Sequence, residues 1–196
     1  MFMLAHTPQT EGFEWVAGVG VEDVWALADL ADRRPGDPWA PARVELRHLD
    51  GRGRPLERAA MPMDPYAAAL FLREEAIEAA GPLLAAHGEL LEIACPQARL
   101  AAFNPPALAG LLDPGRSRTE RFSKTGSLVS LAVAAFDIAE LPGVGAFRIA
   151  ERPRGPLYLA GWLVEQLRAA ANTTGSGFKL VFDSGRPGGA DLGLWG

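Results

Sequence analysis

Residues 74–103 read EEAIEAAGPLLAAHGELLEIACPQARLAAF and decide the fold. Their first half predicts a helix over 74–87, because apolar side chains such as Ile77 and Leu84 recur there at helical spacing. Gly88 stands at the position where a helix commonly ends. Pro82 interrupts the pattern and predicts either a kink or the start of a second short turn.

The second half of the same stretch predicts two strands. Residues 89–95 form an apolar run, and residues 99–103 follow after a short break as the hairpin partner. A helix that leads into a hairpin through short connections favours an antiparallel sheet with helices packed on one face.

Downstream, three apolar runs predict further strands, and one amphipathic run predicts a second helix. The strands are expected near 127–136, 145–150 and 177–182, and the helix over 161–171. Residues 107–112 are predicted to form a short helical turn. We expect the two long helices to pack on the sheet through Ile77, Leu84, Leu163 and Leu167.

The first 60 residues carry weaker patterns. Residues 13–17 alternate briefly like a strand, and residues 42–49 alternate more clearly, with Val44 and Leu46 on one face. Between them, residues 21–30 predict a helix with acidic residues in its first turn. The chain is therefore predicted to be α+β, one domain over 1–183 with a mostly antiparallel sheet, followed by a flexible glycine-rich tail over 184–196.

Composition excludes several classes of protein. Of 196 residues, 48% are hydrophobic and 22% are charged, as in globular proteins and unlike disordered or collagen-like chains. The net charge of −5 argues against nonspecific nucleic-acid binding, which needs clustered positive charge. Cys95 is the single cysteine, the opening residues do not resemble a secretory signal, and no apolar run is long enough for a bilayer. We expect a cytoplasmic protein that does not bind membranes.

Catalytic and metal-binding signatures are missing. The histidines His6, His48 and His87 are about 40 residues apart, so no metal-ligand spacing exists. His87 and Cys95 form a possible nucleophile pair, but an apolar strand around Cys95 and a helix end at His87 favour structural roles. The sequence predicts no metal, no cofactor and no enzymatic activity.

Beyond residue 70, the order of residues resembles a known family. The segments that carry the resemblance are Gly88-Glu89, Phe103-Asn104, Leu112-Asp113 with Ser117, Phe147-Arg148, Trp162-Leu163 and Gly177-Phe178. Together they resemble the eleventh immunity-protein family of bacterial polymorphic toxin systems, over a family-like core of about 70–182. The first 60 residues match it only loosely.

The resemblance implies binding rather than catalysis. It implies that the protein neutralises a cognate toxin by stoichiometric occlusion, through a protein–protein interface of standard size. The residues that match the family are implied to hold the fold: Glu89, Asp113, Ser117, Phe136, Phe147 and Phe178. The oligomeric state and the toxin's activity do not follow from it.

Candidate partner contacts therefore lie in the less matched N-terminal half, at Glu22, Asp23, Trp25 and Trp39. Acidic residues steer association with a basic partner, and exposed tryptophans are good interface anchors. Each of these residues could instead have a structural role, since acidic residues in the first turn of a helix favour its dipole and tryptophans commonly lie in cores. Two other functions stay open: a non-catalytic adaptor or assembly module of a secretion system, and an enzyme with a cryptic site.

Overall fold

The computed structural model describes residues 1–183, except residues 6, 8–9, 35, 66–68, 125–127, 138–140 and 142. This part of the chain forms an α+β fold, as predicted, with three α-helices and twelve strands in mostly antiparallel sheets. The helices are α1 (Val21–Asp29), α2 (Glu75–Ala85) and α3 (Gly161–Ala170), and a 3-10 turn (Leu30–Asp32) follows α1. The predicted tail over 184–196 lies outside the described residues.

The strands fall into four sheets. They are β1 (Phe2–Leu4), β2 (Trp15–Gly18), β3 (Val44–Arg47), β4 (Leu70–Arg73), β5 (Glu89–Ile93), β6 (Leu100–Asn104), β7 (Ala107–Leu108), β8 (Arg118–Arg121), β9 (Leu128–Val133), β10 (Ala146–Ile149), β11 (Tyr158–Leu159) and β12 (Phe178–Leu180). The largest sheet has the order β12-β1-β11-β10-β7, and a smaller one has the order β4-β6-β5. Strands β2 and β3 form one antiparallel pair, and β8 and β9 form another.

Three apolar clusters lie between and beside these sheets. In the five-stranded sheet, Leu157 and Leu159 face a central cluster, whereas Tyr158 faces an outer cluster. In the three-stranded sheet, Leu72 faces the same central cluster, whereas Phe71 faces an N-terminal cluster. Alternate residues of a strand point to opposite faces, so each sheet divides two clusters.

The helices α2 and α3 enclose the central cluster. Leu84 of α2 and Leu163 and Leu167 of α3 are fully buried there, and Ile77 packs against it half-buried. This confirms the predicted packing of the two helices. The helix α2 runs through Pro82 as one element, so the proline does not divide it.

The predicted helical turn over 107–112 is wrong. Ala107 and Leu108 instead form β7, which pairs in parallel with β10. Two prolines precede β7, and a residue before a proline avoids the helical region, so the chain enters this segment extended. The carbonyl of Pro106 accepts the backbone N–H of Arg148 at 2.9 Å, which fixes the pairing.

Two glycines, Gly88 and Gly177, stand where a side chain has no room. A Cβ at Gly88 would lie 2.5 Å from the carbonyl oxygen of Asn104. A Cβ at Gly177 would overlap the carbonyl oxygen of Ala5. Both positions are therefore restricted to glycine by the close approach of a neighbouring strand or loop.

Candidate protein-binding site

The helix α1 exposes its apolar residues. Val21, Val24, Trp25 and Ala28 follow the i, i+3, i+4, i+7 spacing of one helix face. Yet Val21 is 72% exposed and Trp25 is 58% exposed, and Val24 is exposed as well. We call Val21, Val24 and Trp25, with Val19 just before them, the α1 face. Contiguous exposed apolar surface of this kind marks interaction sites.

A groove of about 220 Å³ lies between α1 and β2. Most of its lining is aliphatic, and one wall carries the Asp64 carboxylate and the Arg154 side chain. The full lining is Val16, Ala17, Gly18, Val24, Leu27, Ala28, Asp64, Pro65 and Arg154. A Cβ at Gly18 would lie 2.8 Å from the Val24 Cγ2, so glycine lets strand and helix approach closely here.

A cluster of two carboxylates and one guanidinium lies at the start of α1. Asp23 Oδ2 accepts the backbone N–H of Gly20 at 3.1 Å and Arg43 Nη2 at 3.0 Å. Asp23 Oδ1 accepts the backbone N–H of Arg43 at 2.9 Å, and Glu22 Oε1 accepts Arg43 Nη2 at 2.8 Å. The hydrogen bond from the Arg43 backbone, more than any other contact, lowers the pKa of Asp23. Asp23 is thus ionised at neutral pH.

A second cluster of the same composition lies at the end of α1. Arg154 donates from Nη2 to Asp29 Oδ1 and from Nε to Asp32 Oδ2, both at 2.6 Å. The hydrogen bond to Asp32 is the main cause that raises the pKa of Arg154. With two carboxylates and one guanidinium, each end of α1 carries a formal charge of −1.

Asp64 adds little net charge to the groove, because it lies near a buried cation. Asp64 is buried and accepts the backbone N–H of Ala69 at 2.9 Å. Burial lowers the pKa of the fully enclosed Arg148 to about 10, and the charges of Asp64 and Asp32 oppose that shift. Arg148 therefore stays protonated at neutral pH and offsets the Asp64 charge.

The four candidate contacts of the sequence analysis lie in two places. Glu22, Asp23 and Trp25 belong to α1, where Glu22 and Trp25 are exposed and Asp23 is buried as a helix cap. Trp39 instead packs half-buried on the N-terminal cluster, and its Nε1 donates to the carbonyl of Glu92 in β5 at 2.7 Å. Trp25 and Glu22 are therefore available to a partner, whereas Asp23 and Trp39 are engaged within the fold.

Five of the six residues that the resemblance assigns to the fold form hydrogen bonds, ion pairs or buried ring contacts within it. Glu89 forms an ion pair with Arg33, and Asp113 accepts the backbone N–H of Gly115 at 2.8 Å. The Ser117 hydroxyl donates to the carbonyl of Ala135 at 2.9 Å. The rings of Phe136 and Phe147 are fully buried and meet edge to face, with centroids 5.5 Å apart.

The sixth of these residues, Phe178, is half-buried against the central cluster, and the guanidinium of Arg168 lies 5.8 Å above its ring. All six residues thus have contacts within the fold.

The possible nucleophile pair does not assemble. The His87 ring packs edge-on against Trp162, with centroids 5.3 Å apart. The Cys95 thiol is half-buried beside Gln97, at the far end of β5. Cys95 lies six residue steps along the chain from Glu89 at the start of β5, a span of about 20 Å if extended. Cys95 is also less buried than its apolar strand predicted.

Metal-ligand side chains also stay apart in the described part of the chain, where no three of His, Cys, Asp or Glu converge on one point. His6 lies outside the described residues. A cavity of about 570 Å³ has Glu14 and Asp50 in its lining. Glu14 forms an ion pair with Arg73, and Asp50 holds its own turn by accepting the N–H of Arg54 at 2.8 Å. Both carboxylates already serve the fold.

None of the helices in the described ranges combines the length and apolar character that crossing a bilayer requires. No protein-family model matches this chain, and no significant match is found among curated proteins. The immunity-family resemblance therefore stays a prediction, and the α1 face carries the functional argument.

Sequence reasoning missed half of this site. The helix and Trp25 were predicted, but Asp64 and Arg154 join the groove from about 40 and 130 residues away. No local pattern marks either residue. The one signal in the sequence was the apolar spacing of Val24, Leu27 and Ala28, which by itself predicts a buried face.

Proposed function

We propose that this protein is an immunity protein that binds a cognate bacterial toxin and neutralises it by one-to-one occlusion in the cytoplasm. The α1 face is the observation that carries the proposal. A nine-residue helix that points three large apolar side chains to solvent is costly for a chain with no partner. The resemblance to the immunity family, over 70–182, supports the same reading.

The site suits binding more than chemistry. Its charged groups pair with each other at both ends of α1, and its groove is lined mainly by aliphatic side chains. Tryptophan at an exposed position next to such a groove is a typical anchor of an interface. The α1 face supplies the anchors, and the acidic ends supply steering toward a basic toxin surface.

Co-expression tests the proposal. The toxin domain encoded beside this gene is expressed alone, with the wild-type chain, and with the double variant Val24→Asp/Trp25→Ala. Cells should survive only with the wild-type chain, and toxin and chain should co-purify at a ratio of one to one. The matched control, Trp162→Ala, removes an exposed tryptophan of α3 and should protect fully.

Death of the cells at equal rates with and without the wild-type chain, together with no co-purification, would overturn the immunity function. The adaptor function would then take its place, with the α1 face as an assembly surface.

A further inference from the structure

The groove beside α1 has a size and a charge pattern that describe its ligand. Its volume of about 220 Å³ exceeds the roughly 150 Å³ that is enough for a benzene ring in an apolar protein cavity. Val24, Leu27 and Ala28 contribute aliphatic surface to it. A single phenylalanine- or leucine-sized side chain therefore fits the space.

The charges at the two ends of this groove have the same sign. Glu22 and Asp23 share Arg43 at the start of α1, and Asp29 and Asp32 share Arg154 at its end. Nine helical residues separate the two ends by about 13 Å. Each end is net negative, and an ionised carboxylate has about four acceptor positions, so each can bind a further cation.

We propose that the groove binds an apolar side chain of a protein partner that carries a lysine or arginine on each side of it. This inference rests on the proposed binding function and names the partner's chemistry. The apolar side chain enters between Val24 and Leu27, while the two cations reach the clusters at Glu22 and Asp29. Trp25, 58% exposed, packs against the partner beside the groove.

Charge favours this partner over a second copy of the chain. A symmetric dimer buries the same patch on both subunits. It would place the net negative ends of two α1 helices near each other, which is unfavourable. A partner with basic residues around an apolar one has the opposite charge pattern and associates faster at low salt.

Peptide selection tests the inference without the toxin. A phage library of random 12-residue peptides is selected on the immobilised full chain. We expect enrichment of peptides with one large apolar residue flanked by lysine or arginine. Such peptides should bind Val24→Asp at least ~30-fold more weakly, because a carboxylate then occupies the groove. They should bind Glu22→Lys and Asp29→Lys about 2- to 5-fold more weakly at low salt.

Matched controls stand elsewhere on the surface. Val129→Asp in β9 and Glu165→Lys in α3 make the same changes at exposed positions and should bind the peptides like the wild type. Circular dichroism and urea unfolding establish that Val24→Asp is folded. The inference would be overturned if no peptide is enriched, or if the enriched peptides are acidic or uncharged. It would also be overturned if Val24→Asp and Val129→Asp weaken peptide binding equally.

Other occupants of the groove have their own signatures. A dimer in light scattering that Val24→Asp dissociates would assign the groove to a second copy and overturn the inference. Tighter peptide binding after removal of residues 184–196 would assign it to the chain's own C-terminal segment, with the same result.

The two proposals fail separately. If peptides with flanking basic residues bind in a way that requires Val24, but the chain does not protect cells from the toxin, the immunity function is refuted. This binding site would still stand. If Val24→Asp, Glu22→Lys and Asp29→Lys all leave protection and toxin affinity unchanged, this binding site is refuted. The immunity function would still stand.

Discussion

The helices α1 and α3 have nearly equal lengths, nine and ten residues, and use their apolar residues in opposite ways. In α3, Leu163, Val164 and Leu167 are buried in the central cluster. In α1, the only buried residue is Asp23, whereas Val21, Val24 and Trp25 are exposed and Leu27 is half-buried against the N-terminal cluster. Apolar packing therefore holds α3, whereas hydrogen bonds and ion pairs hold the two ends of α1.

This difference separates stability from binding. A core residue of α3 contributes to the free energy of folding, and its loss is felt throughout the domain. An exposed residue of the α1 face contributes little to folding, so it is available to bind a partner. Substitutions in the two helices test this division.

The largest difference is expected when aspartate replaces a valine in each helix. Val164→Asp buries a carboxylate in the central cluster and should leave the chain unfolded or aggregated, because a buried unpaired charge costs several kcal/mol. Val24→Asp should cost much less, about 1 kcal/mol of unfolding free energy, because Val24 is 45% exposed and loses only its packing beside Gly18. Urea denaturation measures both, and equal losses would show that α1 is packed as tightly as α3.

A smaller difference is expected for leucine-to-alanine substitutions. Leu167→Ala removes a fully buried side chain and should cost about 2–5 kcal/mol of unfolding free energy. Leu27→Ala removes a half-buried one beside the N-terminal cluster and should cost about 1 kcal/mol. The pair is compared by chemical denaturation at one pH. A Leu27→Ala loss as large as that of Leu167→Ala would contradict the proposed weak packing of α1.

Asp23, which caps the start of α1, should contribute a smaller amount to stability, and this contribution should depend on pH. Asp23→Asn removes the charge that Gly20 and Arg43 bind, so the variant should be less stable than the wild type at neutral pH. The pKa of Asp23 is lowered in the folded state, so its contribution is complete above the unfolded pKa of about 4. This stabilisation is lost as the pH falls from that value through the lower pKa that Asp23 has in the folded state.

The stability difference between wild type and Asp23→Asn should therefore be constant above about pH 5 and narrow in acid. Glu165→Gln, which removes an exposed carboxylate of α3, is the matched control. A difference that widens as the pH falls would mean that Asp23 is not a charged cap.

The smallest effect on stability is expected at the exposed end of the same cluster. Glu22→Gln should leave the unfolding free energy unchanged within about 0.5 kcal/mol, because exposed ion pairs contribute little. It should nevertheless slow association with a basic partner and flatten the salt dependence of the rate. Stopped-flow association at two salt concentrations checks this, and an unchanged salt dependence would remove Glu22 from the steering charges.

The same contrast explains how far the sequence predicted the fold. The helices α2 and α3 and the hairpin of β5 and β6 were predicted because their apolar spacing matches their buried faces. The strand β4 was missed because Leu70, Phe71 and Leu72 are buried on both sides, which removes alternation. The strand β1 was missed because three residues are too few to show a period.

The candidate site was predictable only in part. The helix over 21–30 agrees with the expectation, and Trp25 is exposed rather than in the core, but the apolar spacing of α1 is that of a buried face. Whether a helix face is covered depends on what packs against it, and here Val21 and Trp25 stay more than half exposed. The groove also needs Asp64 and Arg154, whose approach is set by tertiary structure alone.

The place of β1 in the five-stranded sheet has a consequence for the order of folding. Phe2 pairs with Leu159 on one side and with Leu180 on the other. At 5–20 residues per second, a ribosome needs roughly 10–40 s to make the chain between β1 and β12. Until β11 emerges, β1 has no partner strand, and until β12 emerges it has one on a single side, so the wall between the central and outer clusters is incomplete. A nascent chain of this protein therefore exposes apolar strand surface of the kind that aggregates until β12 emerges, and its sheet closes only after synthesis of that strand.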